Sequence, residues 1–247
     1  MSNSLIFRFK SCDDICLPAN TLIPAGSEFV SFTDYDVLQE DRVTEVPESR
    51  IIRALFSSSA QDLIFPELGV SKNSSIFYDV REPVVQFGQQ PGDIDVLIAD
   101  GGRADLAIAL QCKRVKVLAL NHDEDKANKI DSIAGGVRQA NLQRSTFGFY
   151  RNYLVIIIQT VGKLRTRNNT LARGPSRDTL KKVYHFPQRE SLHEDIGIVF
   201  IEITQPTGKS WTRMAQIAIC VDQDAHRLEQ PARLTNRIQE LMHKTNG

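Results

Sequence analysis

The sequence predicts an α/β (α+β) chain in which a central mixed β-sheet is flanked by helices, with further elements added at the C-terminal end. Three observations carry that prediction. Strand-like runs occupy residues 75–87, 93–99 and 106–117, broken by the turn-rich stretches GQQPG and ADGGRAD, the pattern of an antiparallel meander. Apolar residues recur instead at three- and four-residue steps in residues 47–58 and 123–143, the period of an amphipathic helix. Residues 152–160, NYLVIIIQT, are apolar almost throughout, as a central strand covered on both faces must be.

Taken in order, the first helix begins with Pro47 and places Ile51, Ile52 and Leu55 on one stripe. Glu48 lies three and four residues before the two isoleucines and so shares their inward-facing stripe. The second helix carries Ala127, Ile130, Ala134, Val137 and Ala140 along one face, with acids at its front end. From residue 162 to 190 no period is evident, and Gly, Pro, Asn and Arg are frequent, so a long loop or insertion is expected there. Residues 196–204 and 214–221 read as strands, and 231–244 as a closing helix with Leu234, Ile238, Leu241 and Met242 inward. No internal repeat is present. The expected organisation is an N-terminal extension (1–44), a core (45–160), a basic insertion or loop (161–195), and C-terminal strands and a helix that complete the same domain (196–247).

The 247 residues are 41% hydrophobic and 24% charged, an ordinary globular balance. No apolar run approaches the roughly 20 residues needed to span a bilayer. The opening MSNSLIFRFKSCDD has no basic region leading into a sustained apolar one, so a cytoplasmic location is expected. Cysteines at 12, 16, 112 and 220 lack the paired spacing of a structural zinc site and are expected to be free thiols. The histidines at 122, 185, 193, 226 and 243 form no H-x-x-x-H pair, which argues against a histidine-ligated zinc hydrolase.

Net charge is zero, but it is unevenly spread. Residues 1–100 hold 7 Lys/Arg against 16 Asp/Glu, so the remainder carries an excess of 9 positive charges. That excess is densest in residues 163–189, where 8 Lys/Arg meet a single Asp. Lys163, Arg165, Arg167, Arg173, Arg177, Lys181 and Lys182 are therefore candidate phosphate contacts. A solvated loop is the alternative reading.

The chemistry concentrates in residues 91–117, PGDIDVLIADGGRADLAIALQCKRVKV. Successive strand side chains point to opposite faces, so Asp93 and Asp95 share one side of their strand, and Gln111 and Lys113 share one side of the next. Pairing through the ADGGRAD turn brings a carboxylate, an amide oxygen and an ammonium together near the sheet edge or a fork. Mg²⁺ suits such a place, since it takes a few oxygen ligands, keeps several waters and binds phosphate at the same time. Asp95 would be the main ligand, with the Gln111 side chain, the Cys112 carbonyl and the inward-facing Glu48 adding oxygens. Lys113 would orient or help deprotonate the attacking water. Asp93, at the start of its strand, reads as an outer or phosphate-side acid.

The run Gly92-Asp93-Ile94-Asp95-Val96-Leu97, followed by Ala109-Leu110-Gln111-Cys112-Lys113, resembles the signature of the PD-(D/E)xK phosphodiesterase superfamily, which includes restriction enzymes and Holliday-junction resolvases. The resemblance implies a restriction-endonuclease-like core over residues 45–160, with Asp95 as metal-binding aspartate, Gln111 as the [EQ] ligand and Lys113 as catalytic lysine. It implies an endonuclease acting with Mg²⁺ or Mn²⁺ on nucleic acid, DNA more than RNA, in a defence or mobile-element setting. Gln111 stands where glutamate is commoner, which removes one negative charge from the site. Either Glu45 or Glu48 is the counterpart of the helix acid, Glu48 being favoured by its stripe, and Gln139 resembles a glutamine that many members carry on the second helix. Two alternatives stay open: a non-catalytic nucleic-acid-binding or protein-interaction module, and a nuclease-fold subunit active only within a larger complex; a homodimer or larger complex is among the expected partners.

Overall fold

The computed structural model describes residues 47–57, 60–86, 88, 92–119, 125–162, 175–205 and 216–246. Helix α1 (Glu48–Ser57) and the short α2 (Gln61–Glu67) lead into strands β1 (Ser75–Val80) and β2 (Ile94–Ala99). Two single 3₁₀ turns, Asp100–Gly102 and Ala104–Leu106, connect β2 to β3 (Ala107–Ala119). There follow β4 (Asp125–Asn128), α3 (Ser132–Phe147), β5 (Arg151–Gly162), α4 (Arg177–Tyr184), α5 (Phe186–Arg189), β6 (Ile196–Gln205), β7 (Gln216–Gln223) and α6 (Ala232–Asn246).

The strands form one seven-stranded sheet in the order β1-β2-β3-β5-β6-β7, with β4 also paired to β3. β1, β2 and β3 are an antiparallel meander, β3, β5 and β6 run parallel, and β7 closes the far edge antiparallel. The expected α/β class with a mixed central sheet and flanking helices is therefore the observed one.

Side-chain alternation sorts the core into two layers. Tyr153, Val155 and Ile157 of β5 join Val96, Ile98, Leu110 and Cys112 beneath α1 and α2, where Ile51, Ile52, Leu55, Phe56, Ile64 and Phe65 are buried. Leu154, Ile156 and Ile158 face the other way, against Ile133, Val137 and Ala140 of α3 and Leu180 and Val183 of α4. α6 covers the meander end of that second face through Leu234 and Ile238. Each such aliphatic side chain contributes about 1.5–3 kcal/mol by leaving water, so both faces of the central strands are apolar, as the NYLVIIIQT run requires.

The structure differs from the sequence reading in four places. Residues 125–128, expected to open the second helix, are a strand instead. β3 outruns β2, and without β4 its last residues would present an unpaired edge. Lys129 then turns the chain at φ 68° before α3 begins. Second, residues 177–189, where a long loop or insertion is expected, form α4 and α5. Ser176 caps α4 by accepting from the Thr179 backbone N–H at 3.3 Å, and the apolar side chains that this short helix buries, Leu180 and Val183, are too few to show a period. Third, α2 gives no periodic signal because it is seven residues long. Fourth, Cys220 is disulfide-bonded, not free, and its spacing in sequence offers no sign of that.

Candidate functional site

The β2–β3 ladder runs from the Ala99–Ala107 pair to the Val96–Leu110 pair and stops there, and β4 takes up the same edge of β3 only from Lys116. Among the described residues no strand pairs with that side of β3 around residues 111–115. Into this fork, in place of the next ladder bond, the Asp95 side chain turns. Its Oδ2 accepts from the Cys112 backbone N–H at 2.7 Å and from Gln111 Nε2 at 2.5 Å. A strand residue sends its N–H and C=O out of the same edge, so the Cys112 carbonyl also faces the fork. The Cys112 thiol lies on the opposite face, fully buried in the α1–α2 layer, where burial holds it well above its ordinary range.

The Asp95 carboxyl is pushed up to about 6, chiefly by burial. The Cys112 N–H and the Lys113 ammonium pull it back down, whereas the Glu48 and Asp79 carboxylates add to the rise. Its Oδ1 takes no hydrogen bond from any described residue. A desolvated carboxylate with one free oxygen is a group for which a cation would be a favourable neighbour.

Behind Asp95 stands a second amide. Gln143 on α3 donates from Nε2 to Gln111 Oε1 at 2.9 Å, and both glutamines are 1% exposed. Gln111 thus presents nitrogen to Asp95 and oxygen to Gln143. Rotating both amides by a half turn keeps their mutual bond and aims the Gln111 oxygen at Asp95, an arrangement that two facing oxygens favour only with a cation between them. The sequence singled out Gln139 on this helix. Gln139 lines the cleft outside, and Gln143, one turn on, is the glutamine that reaches the fork. Counting one further turn along the same helix face was the signal available.

Lys113 follows Gln111 on the same side of β3. Its aliphatic stem lies against α3 where that helix has Gly136: a Cβ there would stand 2.5 Å from Lys113 Cγ and 3.3 Å from Cε. The paired glycines of α3 therefore include one that makes room for the lysine. Glu48, half-buried at the start of α1, lines a cleft of about 610 Å³ together with Lys113 and, from the α3 side, Lys129, Ser132, Gly135, Arg138, Gln139 and Leu142.

The other acids are engaged elsewhere. Asp93 precedes β2 and pairs on the surface with Arg81, whose Nε donates at 2.8 Å. Asp79, opposite Asp95 on β1 with φ 50°, accepts from Arg53 of α1 at 2.7 Å. Glu45, Lys163, Arg165, Arg167 and Arg173 lie outside the described residues, as does the Arg177 side chain. Lys181 and Lys182 are exposed on α4. Among the described residues no three His, Cys, Asp or Glu side chains gather as a metal cage. The oxygens the fork does offer are those of Asp95, the Cys112 carbonyl, Gln111 after rotation and, at its mouth, Glu48.

No family model matches the chain, and no curated protein matches it. Among solved structures, Pyrococcus furiosus SfsA in complex with Ca²⁺ is similar at 12% identity and a TM-score of 0.28, over 83% of this chain and 74% of that one. At that score the likeness carries no argument about function, so the chemistry of the fork has to stand on its own residues. Among the described residues no helix is long and apolar enough to cross a membrane.

Proposed function

We propose that this chain is a metal-dependent nuclease of the PD-(D/E)xK kind that hydrolyses phosphodiester bonds in nucleic acid, DNA in preference to RNA. One observation carries the reading: a half-buried carboxylate with one oxygen unbonded among the described residues, an amide, a backbone carbonyl and a lysine occupy a gap in the sheet that core packing has no reason to furnish this way. Asp95, the Cys112 carbonyl and Gln111 would hold Mg²⁺ or Mn²⁺, with Glu48 approaching from α1. Such an ion, when bound, lowers the pKa of a coordinated water and polarises the phosphate. The protein's own share is positional. Gln143 fixes the Gln111 amide, Gly136 lets Lys113 lie along α3, and Lys113 orients the attacking water and offsets charge gathering on the phosphate oxygens. Burial of the fork strengthens each of these interactions.

Purified protein incubated with circular, linear, single-stranded and branched DNA, and with RNA, under Mg²⁺ and under Mn²⁺, tests the proposal. Metal-dependent cleavage of at least one substrate is expected, and EDTA should abolish it. The same fork also favours a second reading, because Gln111 as it stands completes the Asp95 hydrogen bonds with no metal at all. A non-catalytic nucleic-acid-binding module would keep this arrangement. Calorimetric titration with Mn²⁺ separates the two, since the module reading predicts no heat of binding.

A further inference from the structure

The cleft that opens from the fork has a composition the site itself does not need. The i, i+3, i+4, i+7 stripe of α3 supplies Gly135, Arg138, Gln139 and Leu142, with Ser132 at its head and Lys129 just before it. Its charged lining is three cations, Lys113, Lys129 and Arg138, against the single carboxylate of Glu48. Lys129 and Arg138 are exposed, and neither enters an ion pair among the described residues. Leu142, at 41%, is the one exposed large hydrophobic residue among those described, and it lines this same cleft. α3 is also firmly held. Arg144 pairs with Asp195, the Asn141 side chain bonds the backbone of Ser191 and His193, and Gly148 ends the helix at φ 68°.

We propose that this cleft is the strand-binding groove of the nuclease. Lys129 and Arg138 contact the phosphates next to the bond at Lys113, and Leu142 packs on a sugar or base. The inference rests on the nuclease reading and adds where its substrate lies. Cations spaced along the cleft, with an apolar side chain at its far end, match a nucleic-acid strand, which carries phosphates on one side and apolar ring faces on the other. An acidic peptide would use the cations but has no need of Leu142. The groove also assigns substrate contact to α3, and not to Lys181 and Lys182 on α4.

The test is equilibrium binding of a fluorescein-labelled oligonucleotide to the full chain in EDTA, across a salt series, so that cleavage does not enter. Lys129→Ala and Arg138→Ala should each weaken binding and reduce the slope of log K against log salt by about 0.7–0.9. Arg138→Lys should restore the slope, and Leu142→Ala should weaken binding with the slope unchanged. Lys181→Ala/Lys182→Ala should leave the slope as it is. Unchanged slopes for Lys129→Ala and Arg138→Ala, a slope loss confined to the α4 pair, or failure of the wild type to bind would each overturn the groove. Mn²⁺ titration of the same variants keeps the two claims apart. Wild-type metal binding with lost oligonucleotide binding supports the groove, and a protein that binds strands through these residues but cleaves none removes the nuclease reading alone.

Discussion

The Cys112 backbone N–H donates to the Asp95 carboxylate at 2.7 Å, across the point where the β2–β3 ladder ends. That bond and the Lys113 ammonium do not offset the burial of Asp95, whose carboxyl is raised to about 6. The folded value lies above the unfolded one of about 3.9, so the folded state holds a proton that the unfolded chain releases. The associated stability is complete below about pH 4 and is lost as pH rises through about 6. Asp95→Asn, which cannot ionise, should therefore gain on the wild type with rising pH, by about 1–3 kcal/mol at pH 8. Thermal melts at pH 5 and pH 8 measure this. An equal difference between the two proteins at both pH values would contradict it.

The pairing of Gln143 with Gln111 predicts opposite results for two substitutions at one position. Gln143→Leu strands the buried Gln111 Oε1 without a donor, which costs about 1–3 kcal/mol of stability and loosens the amide. Gln143→Glu, once ionised at alkaline pH, can only accept, and so turns the Gln111 nitrogen towards itself and its oxygen towards Asp95. Calorimetry should then find tighter Mn²⁺ binding in Gln143→Glu and weaker binding in Gln143→Leu. Equal affinity in both would mean that Gln111 takes no part in holding metal.

Gly136 sets two effects against each other. Alanine in a helix interior is favoured over glycine by about 1 kcal/mol. The added Cβ nevertheless meets Lys113 Cγ at 2.5 Å, so the lysine stem must move. Gly136→Ala is expected to melt within a few degrees of the wild type while losing roughly 10²-fold in cleavage rate, the usual penalty for misplacing a reacting group by about 1 Å. A variant with normal turnover would show that the position of Lys113 along α3 does not matter.

A neutral Gln111 leaves the ion one charge fewer than a glutamate would supply. Mg²⁺ gives up its waters reluctantly, and Mn²⁺ tolerates mixed ligands better. At equal low concentration Mn²⁺ should support the faster cleavage, and Gln111→Glu should narrow the gap. Rates measured against metal concentration for both proteins decide the matter, with a gap that Gln111→Glu widens counting against the ligand role.

The fold was legible where burial imposes a period. The stripe of Ile51, Ile52 and Leu55 gave α1, and the apolar run around Ile156 gave the central strand, because a buried face must repeat with its element. β4 was not legible. Ala127 and Ile130 stay in phase with α3, and only the overhang of β3, a tertiary fact, makes residues 125–128 a strand. Alternation placed Asp95, Gln111 and Lys113 on one side of paired strands, and the turn between them put the strands together. What alternation could not reveal is the early end of the β2–β3 ladder, which opens the fork, or the amide that reaches it from α3. Gln139 and Gln143 share one face of α3 a turn apart, so the choice between them depends on how far along its axis the helix meets the fork, which packing sets.

Asp95 and Lys113 are the two side chains on which metal-dependent cleavage has to depend. The decisive measurement is the cleavage rate of the wild type, Asp95→Ala and Lys113→Ala on the best nucleic-acid substrate under saturating Mn²⁺, with thermal melts of all three. The prediction is cleavage by the wild type alone, with both variants still folded at the assay temperature; Asp95→Ala leaves the Cys112 N–H and the Gln111 amide without their acceptor and is expected to lose about 1–3 kcal/mol of stability. Cleavage retained in both variants, or a wild type that neither binds Mn²⁺ nor cuts, would contradict it.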